Sequence, residues 1–87
     1  MYDILVRKKT IKDIRKLPLP IQKKLAMLID DLRERGPIRA DWPNYGRLGK
    51  NTYHCHLARK WVACWWFEED TVIIEVYYAG SRENAPY

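Results

Sequence analysis

Two spacings of apolar residues alternate along this chain and divide it into helices and strands. Tyr2 to Arg7 opens with a short apolar run, which predicts a strand. Ile11, Ile14 and Leu17 then fall on one helical face, with Thr10 placed to cap the first turn. Pro18 and Pro20 end that helix after about two turns, and Pro20 suits the first turn of another. The second helix spans Ile21 to Arg35: Ile21, Leu25, Leu28, Ile29 and Leu32 follow the 3.6-residue period, and Gly36-Pro37 stops it.

Ile38 to Lys50 holds Pro43, Asn44, Gly46 and Gly49 and reads as loop. Three strand-like runs follow, Asn51–Leu57, Trp61–Phe67 and Thr71–Tyr78, separated by Ala58-Arg59-Lys60 and Glu68-Glu69-Asp70. Such short polar connectors predict antiparallel hairpins. The order β-α-α-β-β-β makes the fold α+β, with a helical hairpin covering one face of a small, mainly antiparallel, four-stranded sheet.

Alternation along the strands sorts the two faces. Tyr53, Cys55 and Leu57 share one side, and His54 and His56 the other. Val72, Ile74, Val76 and Tyr78 are assigned to the helix-covered side. A tight turn centred on Arg59-Lys60 sets His54 against Trp65, His56 against Ala63 and Cys55 against Cys64. That register puts Trp61 and Trp65 on the histidine face and Trp66 in the core.

Composition narrows the class. Eighty-seven residues are the size of one small domain, spanning 1–87, and 47% hydrophobic content supplies its core. No apolar run approaches the roughly 18 residues that span a bilayer. The start, Met1-Tyr2-Asp3-Ile4, lacks the pattern of a secretion signal. Two cysteines are too few for a disulfide scaffold, so a reduced, cytoplasmic protein is expected. Sixteen Lys and Arg against 11 Asp and Glu leave a net charge of +5, which suits a polyanion such as nucleic acid, or an acidic protein. The excess gathers at Lys8, Lys9, Lys12, Arg15, Lys16, Lys23 and Lys24, on the helices' polar side; the alternative is a merely solvated face.

Three features carry chemistry. His54 and His56 stand on one strand face about 7 Å apart, and imidazole is the group suited to proton transfer near neutral pH. They can equally be ordinary half-exposed strand residues. With both cysteines assigned to the other face, no metal-ligand set converges, and no cofactor is expected. Arg82, just beyond the last strand, can grip a phosphate with two parallel N–H bonds, or be merely solvated. Tyr87 is a stacking or hydroxyl candidate, and an exposed Trp61 or Trp65 would form a platform for an unpaired base or a protein partner.

Over essentially its full length the chain resembles the RelE/ParE toxins of bacterial type II toxin–antitoxin pairs. The strand followed by Lys8-Lys9, the break at Arg15-Lys16-Leu17-Pro18 and the helix Gln22–Arg35 carry the likeness, together with Tyr53-His54-Cys55-His56-Leu57 and Tyr77-Tyr78-Ala79-Gly80-Ser81-Arg82. The resemblance implies a toxin that stops translation and an acidic antitoxin that neutralises it. RelE-like members cut mRNA on the ribosome without a metal; ParE-like members poison DNA gyrase and need no chemistry of their own. On the first branch His54, His56, Arg82 and Tyr87 match functional positions. Lys50, Arg59, Lys60, Trp61 and Trp65 are then substrate contacts, and the helix-borne cations hold ribosomal RNA. Val62 stands where RelE-like members often carry an arginine, leaving Arg59 or Lys60 to reach the phosphate. A member that has kept the fold and RNA binding but lost activity is the third reading.

Overall fold

The computed structural model describes residues 1–87. Strand β1 (Asp3–Val6) leads into α1 (Lys8–Arg15) and α2 (Leu19–Arg35), followed by β2 (Gly46–Arg47), β3 (Thr52–Ala58), β4 (Trp61–Phe67) and β5 (Ile73–Ser81). The strands form one mixed sheet in the order β1-β5-β4-β3-β2, with β1 parallel to β5 and every other pair antiparallel. The α+β class holds, with one strand more than the sequence predicts. Gly46-Arg47 is too short to show any alternation, yet it pairs with Tyr53 and His54 and closes the β3 edge.

Helix α1 begins two residues before Thr10, because extended Arg7 (ψ 138°) is the capping residue. Thr10 lies inside the helix, buried, and its hydroxyl donates 2.9 Å to the Tyr77 carbonyl, tying α1 to β5. Pro18 caps α2 and Pro20 sits in its first turn, where a missing N–H costs nothing. Gln22 Nε2 donates 2.8 Å to the Leu17 carbonyl, satisfying a group that the end of α1 leaves free. Gly36, at φ +94°, ends α2 in a conformation that favours glycine, and a Cβ there would lie 2.9 Å from the Tyr2 ring.

The core fills one face of the sheet. Ile21, Leu25, Leu28 and Leu32 of α2 pack over Tyr53, Cys55, Leu57, Ala63, Trp65, Ile74, Val76 and Ala79. Trp65 is fully buried, its Nε1 donating 2.9 Å to the Pro37 carbonyl, and Tyr53 stacks on it at 6.1 Å.

Two irregularities correct the expected register. The β3–β4 pairing shifts between His56 and Ala58, so His54 opposes Cys64, His56 opposes Val62, and Cys55 opposes Ala63. The turn at Arg59-Lys60 stands, but the extra residue ahead of it slides the partners by one, and a slip of one position exchanges the faces of a strand. Trp61 and Trp65 therefore belong to the core side, and Trp66, opposite Thr52, joins the histidine face with Cys64. A second bulge between Cys64 and Trp65 leaves Tyr77 unpaired and sets Tyr78 against Cys64. Tyr78 thus sits on the histidine face, and β5 runs three residues past its expected end.

Candidate functional site

The site is built at the end of the sheet where the β3–β4 turn, the end of β5 and the 39–45 loop meet. His54 and His56 come from alternate positions of β3 and face away from α2, both half-buried. The His56 amide donates 2.8 Å to the Pro43 carbonyl, which pins the loop beside the strand. On the other side, the Arg82 amide donates 2.8 Å to the Lys60 carbonyl and fastens the end of β5 to the turn. The result is an open depression of about 370 Å³ lined by Pro43, Asn44, His56, Ala58, Arg59 and Arg82. Arg82 also lines a second hollow of about 240 Å³ with Lys60, Trp61, Ser81 and Glu83. Arg59, Lys60 and Arg82 are exposed, and none of them is held in an ion pair. Arg59 and Arg82 share the depression with the His56 imidazole, and Lys60 lies in the adjoining hollow; uncompensated cations so placed attract anionic oxygens.

His54 has a different environment. The ring of Tyr87 returns over it with centroids 4.8 Å apart and planes at 36°. Its Nδ1 is buried without a partner. Burial, and then the neighbouring His56, hold its pKa below the ordinary imidazole value, which favours the neutral ring. Gly46 lies directly across from it on β2, and a Cβ there would stand 3.0 Å from His54 Nε2. Absence of a side chain at that position is what admits the ring. Cys64 and Val62 share this face but are fully buried; burial pushes both Cys64 and Cys55 thiols up to about 12, so neither is a thiolate.

The structure does not gather all the candidates. Lys50 sits beyond the opposite end of β3, 3.8 Å from Glu69 and away from the depression at Arg82. Trp65 is enclosed in the core and offers no stacking surface. Trp61, though on the core side, is half-exposed at the rim beside Lys60 and Arg82. Lys8, Lys9, Lys12, Arg15, Lys16, Lys23 and Lys24 are all exposed, and Lys24 lines a further hollow with Trp42, Pro43 and His56. Pro43, Asn44 and Gly46 are the residues that reading the sequence missed. Their turn composition marks a loop, but only the fold brings that loop against His56.

The loop is itself braced. Trp42 Nε1 donates 2.8 Å to Asp31 of α2, and Arg35 bridges Asp31 and Asp41 at 3.3 and 3.1 Å. The Trp42 hydrogen bond is the largest cause holding the Asp31 carboxyl below its ordinary pKa.

No protein-family model matches the sequence, and no curated protein is similar to it by sequence. Solved structures are similar in shape. The intact E. coli RelBE toxin–antitoxin complex matches with a TM-score of 0.78 at 20% identity, covering 97% of this chain and 100% of that one. The isolated E. coli RelE toxin matches at 0.77 and 20% identity, over 99% and 89% of the two chains. The archaeal RelE–RelB complex from Pyrococcus horikoshii OT3 matches at 0.76 and 15% identity, over 97% and 98%. At these identities the likeness is one of fold, and it runs nearly from end to end. The chain has the fold of the RelE toxins.

Proposed function

We propose that the protein is the toxin of a type II toxin–antitoxin pair, an endoribonuclease that stops translation by cutting mRNA on the ribosome through the RNA's own 2′-hydroxyl. One observation carries this reading: His56, Arg59 and Arg82 line a single open depression, with His54 one strand step away on the same face. The reaction needs a base for the 2′-OH, an acid for the departing 5′-oxygen, and cations around the pentavalent phosphorus. The 2′-oxygen forms a bond to phosphorus as the bond to the 5′-oxygen breaks, leaving a 2′,3′-cyclic phosphate and a 5′-hydroxyl. His54, held neutral, is suited to accept the first proton; His56 then delivers one to the leaving oxygen. Arg82 and Arg59 hold the non-bridging oxygens, and Tyr87 stacks against the substrate.

The exposed lysines and arginines of α1 and α2 supply sequence-independent attraction to ribosomal RNA. The partner is an acidic antitoxin; a basic surface and the toxin–antitoxin complexes among the structural neighbours support it. Ribosomes halted with a defined A-site codon provide the test. With EDTA present the protein should cut within that codon, and 2′-deoxyribose in the codon should abolish the cut. Intact mRNA alongside failing DNA supercoiling in induced cells would transfer the protein to the gyrase-poisoning class.

A further inference from the structure

The register correction exposes a second hollow on the histidine face that none of the chemistry above uses. It measures about 470 Å³ and is lined by Arg7, Thr52, Trp66, Glu75 and Tyr77. Trp66 lies opposite Thr52, one two-residue step of about 7 Å beyond the His54–Cys64 pair. Across the strands Trp66 opposes Glu75, and Tyr77 follows at the bulge. The Arg7 guanidinium stands 5.6 Å from the Tyr77 ring centroid and its Nη2 is 2.8 Å from Glu75 Oε1. Lys8 and Lys9 come next in the chain, exposed and without ion pairs.

We infer that this hollow is a nucleotide subsite, in which an unpaired RNA base flanking the scissile linkage stacks on Trp66. The inference rests on the ribonuclease reading and extends it to a part of the substrate away from the cut. Three observations favour RNA as the occupant. The surface is continuous with the histidine face, so a strand laid across the Arg82 depression and past His54 meets Trp66 next. Indole and phenol rings beside a guanidinium accept any base by stacking and cation–π contact. Arg7 and Glu75 neutralise one another at the hollow, while Lys8 and Lys9 remain free to meet the backbone phosphates. The pairing with Glu75 leaves no net charge to draw an acidic peptide into the hollow itself.

The probe is a fluorescein-labelled, single-stranded oligoadenylate carrying 2′-deoxyribose so that it cannot be cut, with binding followed by anisotropy at low salt. Stacking is worth about 1–3 kcal/mol per base, so Trp66→Ala should weaken binding by about 5- to 140-fold at 1.4 kcal/mol per decade. Trp66→Phe, which keeps a stacking ring, should recover most of the loss, and both variants should keep the native far-UV spectrum and melting behaviour. Equal binding by wild type and Trp66→Ala, or no binding by the wild type, overturns the subsite. So does a Trp66→Ala protein that binds RNA normally but releases a co-expressed acidic antitoxin, since that assigns the face to a protein. Binding here requires no cleavage, so loss of the subsite and loss of the ribonuclease reading are told apart: the first shows in anisotropy, the second on the ribosome.

Discussion

Replacing Trp65 separates a core role from a substrate role at a position where the sequence suggests the latter. Its indole is fully buried, stacks on Tyr53 at 6.1 Å and lies 6.3 Å from the Tyr45 ring. Its Nε1 satisfies the Pro37 carbonyl at 2.9 Å. Trp65→Phe keeps most of the apolar volume but strands that carbonyl, a loss of about 1–3 kcal/mol. Trp65→Ala adds a cavity and should cost about 3–5 kcal/mol. An 87-residue domain has roughly 4–13 kcal/mol in total, at about 0.05–0.15 kcal/mol per residue, so the alanine variant stands near the edge of folding. The phenylalanine variant should melt roughly 4–24 °C lower, since a domain of this size loses about 4–8 °C per kcal/mol. The assay is thermal denaturation by circular dichroism, paired with ribosome-dependent mRNA cleavage at a temperature where the variant is fully folded. A lowered melting point with undiminished cleavage is the expected pair. A Trp65→Phe protein that melts with the wild type but cuts poorly would refute the core assignment, and with it the one-residue slide of β4.

Other outcomes follow from the same geometry. His54 should titrate below the ordinary histidine value in NMR spectra of the imidazole protons; because its pKa is lower folded than unfolded, stability should fall as pH drops through about 6.5 towards the folded value. A His54 midpoint at or above 6.5 would contradict its burial beneath Tyr87. Gly46→Ala places a methyl against His54 Nε2 at 3.0 Å, so it should displace the ring and slow cleavage while leaving the fold intact, readable as a shifted His54 resonance. Asp31→Asn weakens the brace on the loop beside His56. Asp31 titrates lower in the folded chain, so its stabilising contribution is present at neutral pH and lost as acid protonates it; melting temperature should therefore vary less between pH 7 and pH 3 in the variant.

The helices and four of the five strands were legible because their signals are local. Apolar spacing located α2 to within two residues at its start, and β4 matched at both ends. The face of His54 and His56 was legible too, because alternation within one strand needs no partner. Register was not. A bulge leaves no mark in the apolar pattern, and its effect on the neighbouring strand is total: Trp65 and Trp66 trade places, and Tyr78 moves to the histidine face. Gly46-Arg47 escaped for another reason, since a two-residue strand is defined only by the edge it pairs with. Lys50 illustrates the limit for site residues. Four positions from His54 is near in sequence, but along β3 it leads to the far end of the sheet. Arg59 and Arg82, 23 positions apart, line one depression because the end of β5 is fastened to the β3–β4 turn.

Single-turnover cleavage of a defined A-site codon by His54→Ala, His56→Ala and Arg82→Ala proteins tests the phosphodiester seat most directly. Each histidine replacement should slow the chemical step by about 10²–10⁴-fold, the usual scale for a lost acid or base, and Arg82→Ala should do so without changing the melting temperature, because its side chain makes no contact that holds the fold. Wild-type rates in all three variants would show that the RNA is cut, if at all, somewhere other than between these rings and this guanidinium.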